Sequence, residues 1–505
     1  MTFDLWSTFA ATVAVHPERL AFVRGEERVS FAALLARADA FRAQYRAHGI
    51  GVGDRILCWT SNDADIAAAI LAAWGEGAIP SLIDTACRAS QLSHAVGTAG
   101  PKLIVRAGTT LLPVEIDDVP VIVTDDVPST SVAPQVPIRC LPTDPASIVF
   151  TSGSTGRPKG VVQSHGNLLR GCRAVASYLG LHGDDVLLCP VPWSFDYGYG
   201  QLLSTVVFGV TQVIPTAFNP FGICEALGEQ RPTVLAGLPS LFTYLMGGMS
   251  PIRQAERGSV RLITNTGGQV PGPVLTALRD AFPSARIVLN YGLTETYRSC
   301  YIPDDARMRP GLIGQAIPGA DVIVVRYDGR IADIGEEGEI VHRGDYVCLG
   351  YWNDPEATAK AIRPDPLALA ANPRPAPCVY TGDFGYRDED GLIVYLGRRD
   401  HLLKPMGIRV SPGEVEFLLQ ESGLVEFVAV FGRPHELLGH EVWAAVTLKN
   451  DDDAARAELA RFARQVMTPA MLPRRYLFKA SLPRTTTGKV DYPALIAEAA
   501  GAQDT

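Results

Sequence analysis

Short apolar runs alternate with longer amphipathic stretches through the middle of the chain. The runs have strand length and are Ser147 to Phe150, Thr233 to Ala236, Leu262 to Thr264 and Ile287 to Leu289. Apolar positions at helical spacing occupy Asn167 to Leu179, Pro239 to Met246 and Pro273 to Phe282. Because strands that alternate with helices form parallel sheets covered by those helices, the pattern predicts an α/β fold with parallel-rich sheets.

A different pattern begins near Asp400. Two helices and two strands are predicted there, over Pro412 to Glu421, Val425 to Phe431, Glu441 to Leu448 and Asp453 to Val466. With 505 residues, the chain is also too long for one ordinary domain of about 50 to 250 residues. We therefore predict a large N-terminal domain over residues 1–399 and a small α+β domain over residues 400–505.

Charge and composition disfavour several classes of protein. A net charge of −9 without a run of lysine or arginine argues against nucleic acid or an anionic membrane as the main partner. The most apolar helical stretch, Ile66 to Trp74, is much shorter than the roughly 20 residues that span a bilayer. The chain start lacks the basic residues of a signal peptide, and the nine cysteines form no metal or disulfide pattern. We expect a cytoplasmic protein with no membrane span.

A loop rich in glycine and hydroxyl residues follows the first of these predicted strands. From Phe150 to Gly160 it reads Phe-Thr-Ser-Gly-Ser-Thr-Gly-Arg-Pro-Lys-Gly. Backbone N–H groups near the glycines, the hydroxyls and the lysine can surround a polyphosphate, which points to ATP. The spacing differs from the P-loop, because Arg157 and Pro158 separate Gly156 from Lys159. Taken alone, such a loop is equally compatible with a flexible connection. The candidate phosphate contacts are Thr151, Ser152, Gly153, Ser154, Thr155, Gly156 and Lys159.

Four further motifs follow in order along the chain. They are Asn290-Tyr291-Gly292-Leu293-Thr294-Glu295, Tyr380-Thr381-Gly382-Asp383, Gly397-Arg398-Arg399-Asp400 and Pro483-Arg484-Thr485-Thr486-Thr487-Gly488-Lys489. Together with the loop, they resemble the motifs of adenylate-forming ligases, the family of acyl-CoA synthetases, nonribosomal-peptide adenylation domains and luciferase. The resemblance spans Pro17 to Lys489.

The resemblance implies that ATP and Mg²⁺ are bound by these motifs. The loop would hold the β- and γ-phosphates, Thr294 would donate to the α-phosphate, and Glu295 would ligate Mg²⁺, which accepts one or two carboxylates beside phosphate oxygens. Asp383 and Arg398 would contact the ribose. Tyr291, Gly267 and Gly268 would lie against the adenine. The remaining implied nucleotide contacts are Asn290 and Gly292.

The same resemblance makes the C-terminal domain a mobile lid that turns about Asp400. In one position the lid would bring Lys489 to the carboxylate and the α-phosphate. In the other, a face carrying Lys404, Gly407 and Arg409 would meet the pantetheine arm of a thiol acceptor. One site would then serve two half-reactions.

The residues that select the acid are more ambiguous. Asp196 follows Phe195 where amino-acid-activating relatives place an aspartate for the substrate ammonium, but an aspartate also commonly caps a helix. Arg298 would suit a second substrate carboxylate or would pair with Asp196. By the resemblance, the rest of the pocket wall comprises Ala236, Thr264, Thr266 and Asn290.

We therefore predict an ATP-dependent, AMP-forming acid-thiol ligase. The preferred substrate is an amino acid or related small carboxylate, transferred to the phosphopantetheine thiol of a separate carrier protein, since the chain ends soon after Lys489. The alternative is a synthetase that joins a fatty or aryl acid to free CoA. A non-catalytic nucleotide-binding relative and a luciferase-like oxygenase rank lower.

Overall fold

The computed structural model describes residues 3–116, 118–127, 136–151, 158–369, 371–398, 403, 405, 410–435, 439–484 and 490–501. Helices occur throughout this described part of the chain. The helices are α1 (Leu5–Val15), α2 (Phe31–Ala47), α3 (Ala64–Gly75), α4 (Ala89–Ala99), α5 (His165–Leu179), α6 (Asp196–Phe208), α7 (Pro220–Gln230), α8 (Pro239–Met246), α9 (Gly272–Ala281), α10 (Pro355–Ala361), α11 (Pro412–Gln420), α12 (Asp453–Val466) and α13 (Tyr492–Gly501).

The strands fall into three sheets. In chain order they are β1 (Leu20–Arg24), β2 (Glu27–Ser30), β3 (Arg55–Thr60), β4 (Ile79–Asp84), β5 (Leu103–Arg106), β6 (Val121–Val123), β7 (Pro145–Thr151), β8 (Lys159–Ser164), β9 (Val186–Leu188), β10 (Thr211–Val213), β11 (Val234–Gly237), β12 (Leu262–Asn265), β13 (Arg286–Tyr291), β14 (Cys300–Tyr301), β15 (Leu312–Ala316), β16 (Ala320–Val325), β17 (Gly338–Gly344), β18 (Gly350–Tyr351), β19 (Ile362–Pro364), β20 (Pro377–Arg387), β21 (Ile393–Arg398), β22 (Val425–His435), β23 (Gly439–Leu448) and β24 (Arg475–Phe478).

The largest sheet has the order β16-β17-β20-β21-β15-β14-β13-β12-β11-β9-β10-β1-β2, with β19 beside β20. A second sheet has the order β18-β8-β7-β4-β3-β5-β6, and the third is β22-β23-β24. The run β10-β9-β11-β12-β13 is parallel throughout, as are β7-β4-β3-β5-β6. These two blocks confirm the predicted α/β fold with parallel-rich sheets.

The other half of the largest sheet is antiparallel, which the sequence pattern did not predict. From β13 to β21 and β16 every neighbouring pair runs antiparallel. Antiparallel strands need only short connections, so most of this region lacks the regular alternation of strands and helices that indicates a parallel sheet. This half contributes β20 and β21 to one side of the site described below.

Helix α3 contains the apolar stretch from Ile66 to Trp74, whose side chains are all buried in a large apolar core. Asp63 begins it, since its Oδ1 accepts from the backbone N–H of Ile66 at 2.8 Å. The indole Nε1 of Trp74 donates to the carbonyl of Ala146 at 2.8 Å, which fixes the helix against β7. Among the described residues, every helix is too short or too polar to cross a membrane.

The C-terminal elements have a separate apolar core. Helices α11 and α12 pack on β22 and β23, with Val415, Val430 and Leu459 among its fully buried side chains. The predicted helices and strands of this region match α11, β22, β23 and α12 closely. The boundary near Asp400 stays a prediction, because that residue lies outside the described part of the chain.

Candidate active site

A large cavity of about 1130 Å³ lies at the carboxyl ends of the parallel strands β12 and β13. Its walls are the segments that follow these strands, Asn265 to Val270 and Asn290 to Glu295, together with residues of β20 and β21. The start of α11 closes another side. Ligands of open α/β sheets bind outside the carboxyl ends of the strands, so this position is the expected one for a substrate site.

Asp383 joins two side chains at one end of the cavity. The phenol of Tyr291 donates to Asp383 Oδ2 at 2.5 Å, and Arg398 Nε lies 3.2 Å from Asp383 Oδ1. Burial and then the neighbouring Asp383 carboxylate raise the pKa of Tyr291 well above its ordinary value, so this phenol remains a donor. The bulged pairing of β20 with β21 holds Asp383 opposite Arg398. We name this set, Tyr291, Asp383 and Arg398, the nucleotide end of the cavity, after the contacts predicted for it from the sequence.

Thr294 and Glu295 are fixed by contacts with β8 and β18. Gln163 Nε2 donates to the carbonyl of Thr294 at 2.6 Å, and the backbone N–H of Cys348 donates to the carbonyl of Glu295 at 2.9 Å. The phenol of Tyr351 donates to Glu295 Oε1 at 2.6 Å. Burial and then the Glu295 carboxylate raise the pKa of Tyr351, which therefore keeps its proton.

Lys159 lies close to this segment. Its Nζ is 5.0 Å from the centroid of the Tyr351 ring, at cation–π distance. Thr151 and Lys159 are paired residues of β7 and β8 at the mouth of the glycine-rich loop. Both side chains line the cavity, so the loop begins and ends on the cavity wall.

The backbone of Gly267 and Gly268 forms another part of the wall. Their φ angles are +84° and +156°, and a Cβ on Gly267 would lie 3.2 Å from Leu238. Glycine suits this turn because it adopts a positive φ without strain and has no Cβ that would crowd Leu238. Beside them, Thr266 is buried and its Oγ1 has no hydrogen-bond partner among the described residues, so the hydroxyl is available to a bound ligand.

Asp196 and Arg298 form an ion pair at the other end of the cavity, which we call the acid end. Arg298 Nη1 lies 3.2 Å from Asp196 Oδ2 and donates to the carbonyl of Tyr297 at 2.6 Å. The Arg298 side chain is 4% exposed and stacks over the Tyr197 ring at 4.8 Å, whereas the Asp196 side chain is 26% exposed. Asp196 lines the large cavity and Arg298 lies behind it.

Asn290 connects the acid end to the sheet. The phenol of Tyr178 donates to Asn290 Oδ1 at 2.6 Å, and Asn290 Nδ2 donates to Thr264 Oγ1 at 2.9 Å. The phenol of Tyr197 donates to the carbonyl of Thr264 at 2.7 Å. This network holds α6, and with it Asp196, against β12.

The C-terminal elements reach the cavity through α11. Ser411, Gly413, Glu414 and Glu416 contribute to its lining. Glu416 Oε1 accepts from the backbone N–H of Val430 and from the phenol of Tyr492, both at 2.8 Å. Burial raises the pKa of Glu416 to about 7. A second contact is made where Arg484 stacks on the rings of Phe427 and Tyr244.

The structure brings most of the described candidate residues onto one cavity. Those that line it are Thr151, Lys159, Asp196, Thr266, Gly267, Gly268, Asn290, Tyr291, Gly292, Thr294, Glu295, Asp383 and Arg398. Ala236 is fully buried in β11 and does not line it, because its small side chain lies in the core beneath Tyr197. Phe195 likewise packs on that core. Arg298 and Thr264 line a second, small cavity instead.

Several predicted residues lie outside the described part of the chain. They are Ser152, Gly153, Ser154, Thr155, Gly156, Asp400, Lys404, Gly407, Arg409 and Lys489. Their roles stay predictions.

Sequence reasoning did not identify Gln163, Tyr178 or Tyr351. Each reaches a motif residue from a strand or helix more than 50 positions away. Nothing in the surrounding sequence distinguishes Gln163 or Tyr178 from other residues of an amphipathic element. Only Tyr351 had a local cue, since Gly350-Tyr351 is a short glycine–aromatic pair.

The donor set fits a magnesium ion held mainly by substrate. Glu295 faces the cavity, and only its Oε1 is engaged by a described residue, Tyr351. Within the described residues, no three His, Cys, Asp or Glu side chains cluster as a metal site. A single carboxylate together with phosphate oxygens and water is a usual environment for Mg²⁺.

Comparisons with known proteins agree with this geometry. The family model of AMP-binding enzymes matches residues 9–352, and that of the AMP-binding enzyme C-terminal domain matches residues 414–489. A 2-succinylbenzoate–CoA ligase of Geobacillus kaustophilus is 29% identical over 480 residues, covering 94% of each chain. An L-proline–[L-prolyl-carrier protein] ligase of Pseudomonas fluorescens is 29% identical over 510 residues, covering 97% of this chain and 98% of that protein.

A solved structure extends the likeness to the whole fold. ATP-bound MatB from Rhodopseudomonas palustris matches with a TM-score of 0.86 and 25% identity, covering 99% of both chains. The family models, the full-length relatives and the cavity at the strand ends all point the same way. The chain belongs to the AMP-binding enzyme family and is an AMP-forming acid-thiol ligase.

Proposed function

We propose that this ligase activates an amino acid, or a related small carboxylate with a cationic group, and transfers it to the phosphopantetheine thiol of a separate carrier protein. The observation that carries the proposal is the orientation of the Asp196–Arg298 pair. Asp196 faces the cavity, whereas Arg298 is buried behind it. The charge offered to a substrate at the acid end is therefore negative.

Asp196 retains capacity to bind an ammonium group. A carboxylate has two oxygens and about four lone-pair sites. Arg298 contacts Oδ2, and no described residue donates to Oδ1. A second substrate carboxylate would instead have to displace Asp196 from Arg298, because the guanidinium is almost fully enclosed.

The two ends of the cavity would place the reactants for adenylate formation. With the ammonium at Asp196, the substrate carboxylate would extend toward Thr294 and attack the α-phosphorus of ATP, releasing pyrophosphate. Lys159 would supply positive charge beside the phosphates, Arg398 would contact the ribose with Asp383, and Mg²⁺ held by Glu295 would neutralise further phosphate charge. We assign Lys489 to this step and Lys404 to the second, in which the thiol attacks the acyl carbon and AMP leaves.

The prolyl-carrier protein ligase supports a carrier protein as the acceptor. Its substrate is an amino acid, as its name states, and it matches this chain almost from end to end. A second candidate is transfer of an organic acid to free CoA. It is favoured by the similarly matched 2-succinylbenzoate–CoA ligase.

Asp196→Asn tests the proposal directly. Exchange of labelled pyrophosphate into ATP is measured with a panel of amino acids and with the same acids lacking the amino group. Loss of a charged hydrogen bond should lower kcat/KM for amino acids by about 10- to 100-fold and leave the matched acids nearly unchanged. Asp184→Asn, at a carboxylate that is 82% exposed, is the control.

Equal kinetics of wild type and Asp196→Asn with every amino acid would contradict the proposal. The acceptor is then identified by offering the preformed adenylate CoA and candidate carrier proteins bearing phosphopantetheine. Faster release of AMP with CoA than with any carrier would favour the second candidate.

A further inference from the structure

Tyr297 has an unusual backbone conformation directly after the Thr294–Glu295 segment. Its φ and ψ are +60° and −60°, and the backbone N–H of Arg298 donates to the carbonyl of Thr296 at 2.6 Å. This is a γ-turn with positive φ, which is rare and strained for a bulky residue. The turn reverses the chain so that Arg298 points back to Asp196.

Contacts on both sides of the turn hold it in place. The backbone N–H of Ser299 donates to the carbonyl of Tyr291 at 3.0 Å. The hydroxyls of Thr296 and Ser299 are 2.9 Å apart, and His342 Nδ1 lies 3.0 Å from Ser299 Oγ. Strained residues persist where the surroundings fix them in this way, and they concentrate at functional sites.

The Tyr297 ring fills a slot made by two glycines inside helices. A Cβ on Gly171 of α5 would lie 2.6 Å from Tyr297 Cδ1, and a Cβ on Gly200 of α6 would lie 3.1 Å from the Tyr297 hydroxyl. Glycine is unfavourable within a helix compared with alanine. Its presence at both positions matches the space that the ring requires.

A small cavity of about 10 Å³ remains beside Tyr297 and Arg298. Aliphatic side chains form much of its wall, among them Val175, Leu179 and Val234. Its volume is close to the minimum for about one water molecule. Arg298 lines this small cavity and pairs with Asp196, which lines the large one, so it lies between the two cavities. The Tyr297 ring forms part of the wall of the small cavity.

We propose that Tyr297 determines the length of acid that the enzyme accepts. Its ring occupies the space between α5 and α6 into which the acid end would otherwise continue beyond Arg298. The accepted substrates are therefore acids with short side chains. This assignment rests on the proposed function, because it extends the same acid end.

Tyr297→Gly is the decisive variant, since glycine tolerates the positive φ and opens the slot. Pyrophosphate exchange is measured with straight-chain amino acids from alanine to 2-aminooctanoate and with the unsubstituted acids from propanoate to octanoate. The ratio of kcat/KM for the longest to the shortest acid should rise at least about tenfold, the effect of one or more accommodated methylenes. A folded Tyr297→Gly enzyme with an unchanged ratio overturns the proposal.

Gly171→Ala tests the same assignment from the opposite direction. The added Cβ would lie within 2.6 Å of the ring and narrow the slot, so the ratio should fall. Gly97→Ala is the matched control, because Gly97 lies inside α4 with no atom near its Cβ position. If Tyr297→Gly does not fold, an unchanged ratio in Gly171→Ala overturns the proposal.

The two acid series separate this proposal from the proposed function. If only the unsubstituted acids support pyrophosphate exchange, the proposed amino-acid substrate is contradicted. The ratio of kcat/KM for long to short unsubstituted acids would still test the role of Tyr297. Absence of exchange with either series would overturn both.

Discussion

Two arginine–carboxylate pairs border the same cavity at the same N···O distance of 3.2 Å, yet they are oriented in opposite ways. At the acid end Arg298 is buried and Asp196 is partly exposed. At the nucleotide end Asp383 is 9% exposed and Arg398 is 46% exposed. The more exposed member of the pair is thus the carboxylate at the acid end and the guanidinium at the nucleotide end.

This difference shows that an ion pair can act as a support as well as a binding group. The buried member orients the exposed one and keeps its charge compensated when the site is empty. Which member is buried depends on the local packing: Arg298 is enclosed by Tyr197 and Tyr297, and Asp383 by the β20–β21 pairing. Substituting the buried residue, Arg298 at one end and Asp383 at the other, should therefore have different effects on the protein.

The largest effect is expected from Arg298→Leu. It removes the buried guanidinium that packs against Tyr197 and Tyr297 and leaves Asp196 without its cation, which should lower the free energy of unfolding by about 3 kcal/mol. Urea denaturation measures this loss. Arg330→Met, at an arginine that is 73% exposed in its pair with Asp328, should leave the free energy of unfolding nearly unchanged, because exposed ion pairs contribute little. Equal losses in both variants would mean that Arg298 does not support Asp196.

Glu416 contrasts with the carboxylates of both ion pairs. Among the described residues, the groups that donate hydrogen bonds to it, the Val430 N–H and the Tyr492 phenol, are neutral. Its pKa is raised by burial from 4.5 to about 7, so the folded state binds a proton that the unfolded state has already lost. Stability should fall as pH rises from about 4.5 through about 7, by up to about 3 kcal/mol in total, and then level off.

Glu416→Gln should remove this part of the pH dependence. Urea unfolding at both ends of the pH window measures it, and the variant should gain stability relative to wild type at the higher pH. Glu426→Gln, at an exposed residue of β22, is the control. Parallel pH profiles of wild type and Glu416→Gln would contradict the assignment.

The smallest effect is expected from Asp383→Asn. The asparagine retains the shape and one acceptor but not the charge, so Arg398 and Tyr291 lose part of their hold on it. We expect KM for ATP to rise about tenfold with every acid, without the acid-specific response of Asp196→Asn. Asp390→Asn, at a side chain that is 72% exposed, should leave KM for ATP unchanged.

The nucleotide end could be predicted from the sequence because its residues belong to ordered motifs. Tyr291, Glu295, Asp383 and Arg398 come from distant parts of the chain, and the structure places all of them on one cavity. Parallel strand ends explain part of this convergence, since residues that follow neighbouring strands meet at one edge.

The acid end was less predictable because it depends on contacts between distant segments. The sequence left open whether Asp196 binds substrate, caps α6 or pairs with Arg298. The structure shows the pair. It also places Asp196 as the first residue of α6, whose N-cap residue, Phe195, makes no side-chain capping hydrogen bond. Neither the γ-turn at Tyr297 nor the slot at Gly171 and Gly200 has a local signal. The turn is held by contacts with Tyr291 and His342, and the slot follows from how α5 and α6 approach one another.

Strand β8 carries Lys159 and Gln163 on the same face, since side chains on a strand alternate. Lys159 ends the glycine-rich loop, and Gln163 holds the carbonyl of Thr294. One strand thus sets the register of both segments relative to each other. Inserting a single residue between Lys159 and Gln163 would turn the two side chains to opposite faces and disconnect the segments in one step, without altering either motif.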